Sequence, residues 1–368
     1  MTRVLVCLPE VPNPRVSGGY GRNVAIARAL VRLGCETTIL AASSQRDGGT
    51  TEMLAAEGVR VIALDRDGVA PAAVLASGFD LIFVTYYEFA EQILPLIFAH
   101  GGGAGLVIDS VDLHYVRAVR QAEIEGDAHG PVRAEMIRRR ELAVYRQADV
   151  VLTVSEHEQD VLSGLLPGIP VGVVPSIHEV NVAAAGPDAR RGALFVGAYN
   201  FPPNRDAAHH LCAEIMPRLR ELGYTDPVQL VGPYLDDDLA RRVRAAGAEP
   251  VGFVPDLATM YEERRVFLSS VRFGSGVKTK VGEALGAGLP VVGTTMGTEG
   301  FPDTDGIVAI DEPEALARAV VELDDDAAWR RRSAAGRELI ATAYGPDRAE
   351  RELAEVLEYV LARRGVAA

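Results

Sequence analysis

The two lysines of the chain lie in one glycine-rich segment, and their spacing suits the binding of an anion. The segment 272–280 reads RFGSGVKTK, and Lys278 and Lys280 are the only lysines among 37 lysine and arginine residues. Glycines let backbone N–H groups approach a phosphate, and the lysine ammonium is a compact charge that suits a pyrophosphate oxygen. Cations at the start of a helix oppose the helix dipole unless an anion is bound. The segment therefore predicts a diphosphate site, with chance placement on a solvated helix end as the alternative.

An acidic residue follows the lysines at helical spacing. Glu283 comes three residues after Lys280, so the two side chains share one face of a helix. A carboxylate at this position could accept hydrogen bonds from both hydroxyls of a ribose, as acidic residues do in dinucleotide-binding folds. The alternative is an ion pair between Glu283 and Lys280 inside the helix. Both interpretations stay open at the level of the sequence.

Two further loops join a strand-like run to a helical pattern. The loop 9–23 contains Gly18, Gly19 and three prolines, but no Gly-x-Gly-x-x-Gly, which argues against a nicotinamide or flavin enzyme. The loop 197–206 carries Asn204 and Arg205, which could reach an anionic ligand. Its Pro-Pro-Asn sequence is also good turn chemistry, so a structural turn is the alternative there, as it is for the first loop.

The elements that must position these loops appear as short apolar runs separated by amphipathic stretches. Such runs indicate strands that are buried on both faces of a parallel sheet covered by helices. The sequence therefore predicts an α/β protein with two sheets, and ligands of such sheets bind at the carboxyl ends of the strands. The first set of predicted strands is 4–8, 37–40, 59–64, 81–85, 106–108, 150–154 and 171–174, and the second is 193–196, 228–231, 251–253, 266–268, 290–292 and 307–310.

The predicted domain boundary lies between the two sets of strands. The segment 182–192 has no periodicity and is rich in small and turn residues, so we expect domains at 1–185 and 186–345. The chain from residue 327 to about 364 reads as two helices that are broken at Gly345-Pro346, because proline cannot continue a helix. The segment 346–368 is expected to pack back across the first domain.

Composition argues against several classes of partner. A length of 368 residues suits about two domains, and a formal net charge of -14 repels nucleic acid and anionic lipid. Membrane association is possible but not favoured, since no run approaches 18 apolar residues. The start of the chain runs directly into a strand-like segment, so we expect a cytoplasmic protein. Three cysteines, which are far apart in the sequence, are expected to be buried thiols: Cys7, Cys35 and Cys212.

Taken together, these segments resemble the GT-B glycosyltransferases, in particular the retaining glycosyltransferase family 4. The stretch 272–294 is similar to the donor-site signature of that family. The resemblance covers nearly the whole chain, and it implies two Rossmann-like domains that face a central cleft. Supporting matches in the same order are 145–149 leading to 153–156, 195–197, 231–233 and 252–257.

The resemblance implies a role for each donor-site residue. Lys278 and Arg205 would contact the diphosphate of a nucleotide sugar, with Lys280 as a second candidate. Glu283 would hold the ribose. The remaining donor contacts implied by the family come from Phe253 and Val254 over the base, Asn204 beside Arg205, and the backbone amides of Gly18, Gly19, Gly274, Ser275, Gly276 and Val277 near the phosphates and the transferred sugar.

One position departs from the family pattern. Members often carry a second glutamate eight residues before the ribose-binding one, and that position is Ser275 here. In the family this carboxylate contacts hydroxyls of the donor sugar. Either Ser275 and the loop amides contact the sugar hydroxyls instead, or the donor sugar differs from that of the family members with the glutamate. A contribution from Glu299, in the sequence GTEG, is the less favoured interpretation.

For catalysis, the resemblance implies front-side attack with no protein nucleophile, in which the departing phosphate takes the acceptor proton. Lys278 and the loop amides would stabilise the developing charge. The first-domain candidates for acceptor contacts are Asp109, Asp112 and His114, and a capping or solvated role is the alternative for each aspartate. We expect no metal, because the acidic runs 236–238 and 324–326 precede amphipathic segments and suit helix N-caps.

The function predicted from the sequence is transfer of a sugar from a nucleotide diphosphate sugar, the co-substrate, to a hydroxyl of a small-molecule acceptor such as a natural product. No cofactor is expected, and the sequence gives no indication of the oligomeric state. Transfer to a lipid-linked or polysaccharide precursor is an alternative. An epimerase or glycosyl phosphorylase on the same fold is another, since fold alone does not fix the reaction, and so is a binding protein without turnover.

Overall fold

The computed structural model describes residues 1–14, 18–181 and 185–365. The chain divides into two compact units, of which the first comprises residues 1–115, 131–177 and 346–368 and the second comprises 116–130 and 178–345. Parts of the predicted loop 9–23, of the boundary segment 182–192 and of the final segment 346–368 lie outside the described residues. The domain limits after residues 185 and 345 stay predictions.

The first unit is built on a parallel sheet of seven strands. Its strand order is β3-β2-β1-β4-β5-β6-β7, and every neighbouring pair is parallel. The central strands are fully buried because helices cover both faces, which explains their continuous apolar runs. The strands are β1 (Arg3–Glu10), β2 (Glu36–Ser43), β3 (Arg60–Ala63), β4 (Leu81–Thr85), β5 (Gly105–Asp109), β6 (Val150–Thr153) and β7 (Val171–Val173).

Eight helices follow the strands of this sheet in sequence. The helix α6 is divided, since its residues from Val116 onward belong to the second unit. The helices are α1 (Gly18–Arg32), α2 (Thr50–Ala56), α3 (Leu64–Asp67), α4 (Pro71–Leu75), α5 (Tyr87–His100), α6 (His114–Glu125), α7 (Gly130–Tyr145) and α8 (Glu156–Leu165).

The second unit is built on a parallel sheet of six strands. Its order is β10-β9-β8-β11-β12-β13, again with every neighbouring pair parallel. The prediction of an α/β protein with sheets of seven and six parallel strands is thereby confirmed. The strands are β8 (Ala193–Val196), β9 (Val228–Val231), β10 (Glu249–Gly252), β11 (Val266–Ser269), β12 (Val291–Gly293) and β13 (Ile307–Ala309).

The helices of the second unit show why its acidic runs occur where they do. Asp236 accepts a hydrogen bond from the backbone N–H of Leu239, and Asp325 accepts one from Ala328, so both are N-caps, as the sequence predicts. Each such cap stabilises its helix by about 1 kcal/mol. The helices are α9 (Pro202–His210), α10 (Met216–Glu221), α11 (Asp237–Ala245), α12 (Ala258–Glu263), α13 (Thr279–Gly286), α14 (Pro313–Glu322) and α15 (Asp326–Leu339).

The last helix, α16 (Pro346–Arg364), packs into the core of the first unit. It begins directly after Gly345 with a proline in its first turn, where the missing N–H is not needed. Its buried residue Val360 lies so close to β5 that a Cβ on Gly105 would overlap the valine side chain. Near its end, Arg364 forms an ion pair with Asp149 at 2.6 Å.

The three cysteines of the chain differ in their burial. Cys7 and Cys35 are buried and Cys212 is half-buried, and none of the three is in a disulfide. Burial raises the pKa of the Cys212 thiol to about 11. Of the helices within residues 1–14, 18–181 and 185–365, none has the length and apolar character needed to cross a membrane.

Candidate functional site

The glycine-rich segment lies at the carboxyl end of β11 and leads into α13, as predicted. Gly276 has a φ of +67°, a left-handed conformation that favours glycine. Two further glycines, Gly282 and Gly286, let α13 pack closely, because a Cβ on either would overlap His178 or the carbonyl of Glu179. The glycines thus fix both the shape of the loop and the position of the helix that follows it.

Lys278 is the N-cap residue of α13, and its side chain folds back over its own loop. The ammonium donates to the carbonyl oxygens of Gly276 at 2.9 Å and Ser275 at 3.4 Å, and to a carboxylate oxygen of Glu299 at 3.1 Å. The nitrogen also lies close to Gly274, where a Cβ would stand 3.4 Å from it. A positive charge is therefore held directly beside the loop that the sequence identifies as the anion site.

Lys280 and Glu283 form the ion pair that was the alternative to a ribose site. The ammonium of Lys280 contacts both carboxylate oxygens of Glu283 at 2.8 and 2.9 Å. The hydroxyl of Tyr261 also donates to Glu283, at 2.8 Å. Glu283 remains partly exposed, so its carboxylate is fixed in direction and still reachable. The structure thus shows the structural contact and leaves the ribose role a prediction.

Arg120 and Glu299 contact the glycine-rich loop and each other. The guanidinium of Arg120 contacts the two carboxylate oxygens of Glu299 at 2.7 and 2.9 Å and donates to the carbonyl of Gly274 at 2.8 Å. All of these residues belong to the second unit. Sequence reasoning missed Arg120 and ranked Glu299 low, because no local pattern connects residues 179 positions apart.

The electrostatics keep Glu299 charged. Burial by itself raises the pKa of the Glu299 carboxyl, but the hydrogen bonds from Arg120 and the positive charges of Arg120 and Lys278 outweigh it, so that the pKa is lowered. Carboxylates whose pKa is shifted by charged partners cluster at functional sites, and they also occur in structural ion-pair networks.

Asn204 and Arg205 lie on the first turn of α9, which follows β8, the strand next to β11. The Asn204 amide donates to the carbonyl of Ala198 at 3.1 Å, which is the turn role given above as the alternative. Arg205 contacts Asp236 at 2.7 Å and is partly exposed. These polar contacts of Asn204 and Arg205 do not involve the loop 272–280, and their donor roles stay predictions.

Two aromatic side chains are exposed at the carboxyl ends of β9 and β10. Phe253, predicted to lie near the base, is 54% exposed, and Val254 beside it is partly buried and packs against a hydrophobic cluster that contains Tyr261. Tyr234 is 50% exposed and has a φ of +62°, which is uncommon for a residue with a side chain. Sequence reasoning missed Tyr234, since a strained backbone leaves no pattern in the sequence.

In the first unit, strained residues also gather at the carboxyl ends of adjacent strands. Tyr86 after β4 and Val111 after β5 both have a φ of +63°. Gly18 and Gly19 begin α1 after β1, and a Cβ on Gly19 would overlap the hydroxyl of Tyr86. Such outliers persist only where the surrounding structure enforces them, and they cluster at functional sites.

Asp109, at the end of β5, is buried in an ion pair. Its side chain is 1% exposed, and its carboxylate is held by the guanidinium of Arg22 at 2.8 and 3.0 Å. Arg22 also donates to the carbonyls of Val174 and Pro175. This buried ion pair is neither the predicted acceptor contact nor the capping or solvated role given as the alternative, and the acceptor role of Asp109 stays a prediction.

Asp112 and His114 do come together, at the start of α6. One ring nitrogen of His114 lies 2.7 Å from a carboxylate oxygen of Glu88, and the other lies 3.1 Å from Asp112. The ring also makes an edge contact with Tyr87. An imidazolium can donate to both carboxylates at once, so Glu88 and Asp112 fix the orientation of the ring.

A buried carboxyl group supports the same end of α6. Glu141 is fully buried and accepts hydrogen bonds from the backbone N–H groups of His114 and Tyr115 at 2.9 and 2.8 Å. Burial raises the pKa of Glu141 to about 7, although these hydrogen bonds and His114 oppose the shift.

This raised pKa predicts that the stability of the chain depends on the charge of Glu141. The pKa in the folded state lies above the unfolded value, so its contribution to stability is present below about pH 4.3 and is lost as the pH rises through about 7. We expect Glu141→Gln to remove that pH-dependent loss, which amounts to about 3 to 4 kcal/mol of unfolding free energy. Urea unfolding of both proteins from pH 4.5 to 8 measures the difference.

The matched control is Glu135→Gln on the same helix. Arg138 and Arg139 lower the pKa of Glu135 to about 2, so this residue keeps its charge over the whole range. Its variant should follow the pH dependence of the wild-type protein. Parallel curves for the Glu141 variant and the wild type would show that Glu141 does not titrate in this range.

The described parts of the chain contain no group of three or more histidine, cysteine, aspartate and glutamate side chains placed to hold a metal ion.

Part of the second unit matches a known family model. Residues 190–326, which include β8 to β13 and the glycine-rich segment, match the family model described as Glycosyl transferases group 1. The sequence matches no curated protein sequence.

Solved structures match over nearly the whole chain at low sequence identity. HepE from Anabaena, in complex with UDP and glucose, aligns at 14% identity with a TM-score of 0.71 over 96% of this chain and 99% of that one. Sucrose-phosphate synthase from Thermosynechococcus elongatus aligns at 15% identity with a TM-score of 0.68, over 99% and 100%. A glycosyltransferase from Rickettsia africae aligns at 13% identity with a TM-score of 0.70, over 98% and 99%.

These matches confirm the resemblance at the level of the fold, while the narrower assignment to family 4 stays a prediction. The chain has the GT-B fold of glycosyltransferases, and its residues 190–326 carry the sequence features of the group 1 glycosyl transferases.

Proposed function

We propose that this protein is a glycosyltransferase that moves a sugar from a nucleotide diphosphate sugar to a hydroxyl group of an acceptor. The observation that carries the proposal is the position of Lys278. Its ammonium lies against a glycine-rich loop between a parallel strand and a helix, within the segment that matches the group 1 model. This arrangement supplies a cation and backbone N–H groups for a departing diphosphate.

The proposed donor carries uridine diphosphate. HepE is described in complex with UDP and with UDP-glucose, which makes these compounds the first probes for a protein of the same fold. Phe253 and Tyr234 offer two exposed aromatic surfaces that suit stacking on a base. Glu283 on α13 would accept the ribose hydroxyls.

We further propose that transfer retains the anomeric configuration and requires neither a metal ion nor a cofactor. Lys278 and the loop amides would stabilise the negative charge on the leaving diphosphate. The diphosphate oxygen that leaves the sugar would take the proton of the acceptor hydroxyl. His114, fixed by Glu88 and Asp112, would help to bind the acceptor, and a small molecule is the proposed acceptor class. A lipid-linked or polysaccharide acceptor is the second candidate.

The test begins with a thermal-shift screen of nucleoside diphosphates and their sugars, starting with UDP and UDP-glucose. The selected donor is then incubated with and without a panel of acceptors, in the presence and absence of EDTA. Nucleoside diphosphate release that depends on the acceptor, with an unchanged anomeric configuration by NMR, is the expected result. Epimerised donor would indicate an epimerase, and tight donor binding without any product would indicate a binding protein.

Replacing Glu283 with alanine is expected to weaken nucleoside diphosphate binding by about 10- to 100-fold, the size of a lost charge-assisted hydrogen bond. The reason is that Tyr261 and Lys280 hold the carboxylate in a fixed, partly exposed position. Isothermal titration measures the change. Tyr261→Phe removes only the supporting hydrogen bond and should have a smaller effect. Normal affinity in the Glu283 variant would make this residue structural.

A further inference from the structure

We propose that Glu299 recognises hydroxyl groups of the transferred sugar and that Arg120 is the residue that positions it. The proposal rests on the function proposed above, because it assigns one contact within the same donor site.

The backbone around Glu299 places the carboxylate against the glycine-rich loop. A short 3₁₀ turn, Met296–Thr298, precedes the residue, and Gly300 after it has a φ of +93°. A Cβ on Gly300 would overlap Val277, so the two segments touch directly. The hydroxyl of Tyr344 donates to the carbonyl of Gly300 at 2.6 Å, which further fixes the segment. The direction of the glutamate is therefore set by the fold.

Two cations, Arg120 and Lys278, hold the carboxylate. Arg120 contacts both oxygens and Lys278 contacts one of them, which accounts for three hydrogen bonds. An ionised carboxylate accepts about four, so it has capacity for a further donor. The side chain of Glu299 is 22% exposed, so a ligand can reach it. Because the lowered pKa keeps the group ionised, it can only accept hydrogen bonds.

The chemistry selects the sugar rather than the diphosphate as the ligand of this carboxylate. A phosphate group of the donor carries negative charge and no hydrogen to donate near neutral pH, so it is repelled by Glu299. A sugar hydroxyl is neutral and donates. Since Lys278 touches Glu299, a diphosphate bound by Lys278 and the loop amides would carry its sugar within reach of this residue.

Arg120 acts through Glu299. Its guanidinium bridges the carboxylate and the carbonyl of Gly274, so it sets the distance between the carboxylate and the glycine-rich loop. Loss of this bridge should loosen the sugar contact without removing the carboxylate.

The test separates sugar recognition from nucleotide binding. UDP and UDP-glucose binding are measured by isothermal titration for the wild-type protein and for Glu299→Gln, together with kcat/KM for UDP-glucose. We expect UDP affinity to change by less than about threefold and kcat/KM to fall about 10- to 100-fold, since charge-assisted hydrogen bonds are lost. Asp303→Asn, an exposed carboxylate in the same connection, is the matched control and should match the wild type.

Donors that lack a sugar hydroxyl distinguish sugar binding by Glu299 from a purely structural role, because a structural role would not change the selectivity among such donors. UDP-glucose analogues that each lack one sugar hydroxyl should lower the kcat/KM of the wild-type protein, and one of them should have much less effect on Glu299→Gln. Arg120→Gln should reduce the same selectivity in part, and it serves as the second variant if Glu299→Gln is unstable.

Three results would overturn the proposal. Tighter UDP binding by Glu299→Gln would show that the carboxylate competes with the diphosphate for Lys278. An equal loss of affinity for UDP and for UDP-glucose in Glu299→Gln would show that the carboxylate only shapes the loop. Unchanged selectivity among the analogues would show that no hydroxyl is bound there. A wild-type protein that binds no nucleoside diphosphate or nucleotide sugar would instead contradict the proposed function itself.

Discussion

Lys278→Ala is expected to lower kcat/KM for sugar transfer by about 100- to 1000-fold, the loss seen when one group that stabilises transition-state charge is removed. The ammonium lies against the carbonyls of Gly276 and Ser275, directly beside the loop amides. Charge develops on the diphosphate as the bond to the sugar breaks, so a cation fixed there lowers the barrier. Steady-state kinetics with the selected donor measure the loss, and circular dichroism checks the fold.

The second lysine supplies the matched control. Lys280 lies two residues further on and is paired with Glu283 within α13. Lys280→Ala removes one partly exposed ion pair, and we expect kcat/KM to fall by less than about fivefold. A larger effect for Lys280 than for Lys278 would exchange their roles. Full turnover by the Lys278 variant would remove the main support for the proposed function.

The fold could be predicted closely because both sheets are parallel and covered on two faces. Buried strands such as β4 and β11 then appear as continuous apolar runs with sharp ends. The predicted start of the edge strand β10 lies two residues after its start in the structure. The strand contains Pro250 and shifts its register before Gly252, and its exposed positions break the apolar run from which its place was inferred.

The candidate site could be predicted where its signal is local. Glycines and the only two lysines of the sequence fall within nine residues directly before a helix. This combination is typical of an anion-binding loop. Arg120 reaches this loop from a helix 154 residues earlier in the chain, and such a contact depends on how the elements pack. No property of the local sequence around Arg120 distinguishes it from arginines on solvated helix faces.

Asp109 also shows that a contact between residues distant in sequence cannot be predicted from the local sequence. Its position at the end of β5 was predicted correctly, and acidic residues at such positions often face ligands. Its role depends on Arg22, which lies 87 residues away in sequence and is buried with it. A carboxylate and its partner charge can be matched only after the fold brings the two together.

Asp109→Asn is expected to lower the free energy of unfolding by about 3 to 5 kcal/mol, because it leaves the charge of Arg22 buried without its partner. The two side chains are 2% and 1% exposed, so water cannot replace the lost carboxylate. Arg22 lies on α1, and through the Val174 and Pro175 carbonyls it also holds the chain after β7, so the pair ties separate parts of the first unit. Urea unfolding at neutral pH measures the change.

An exposed ion pair on the same helix is the control. Arg28 contacts both carboxylate oxygens of Glu57 at 2.6 and 2.7 Å, so its geometry matches that of Arg22 with Asp109, but both side chains are more than one third exposed. Glu57→Gln should cost less than about 1 kcal/mol, since water solvates the arginine that remains. Similar losses for the two variants would mean that burial does not set the cost.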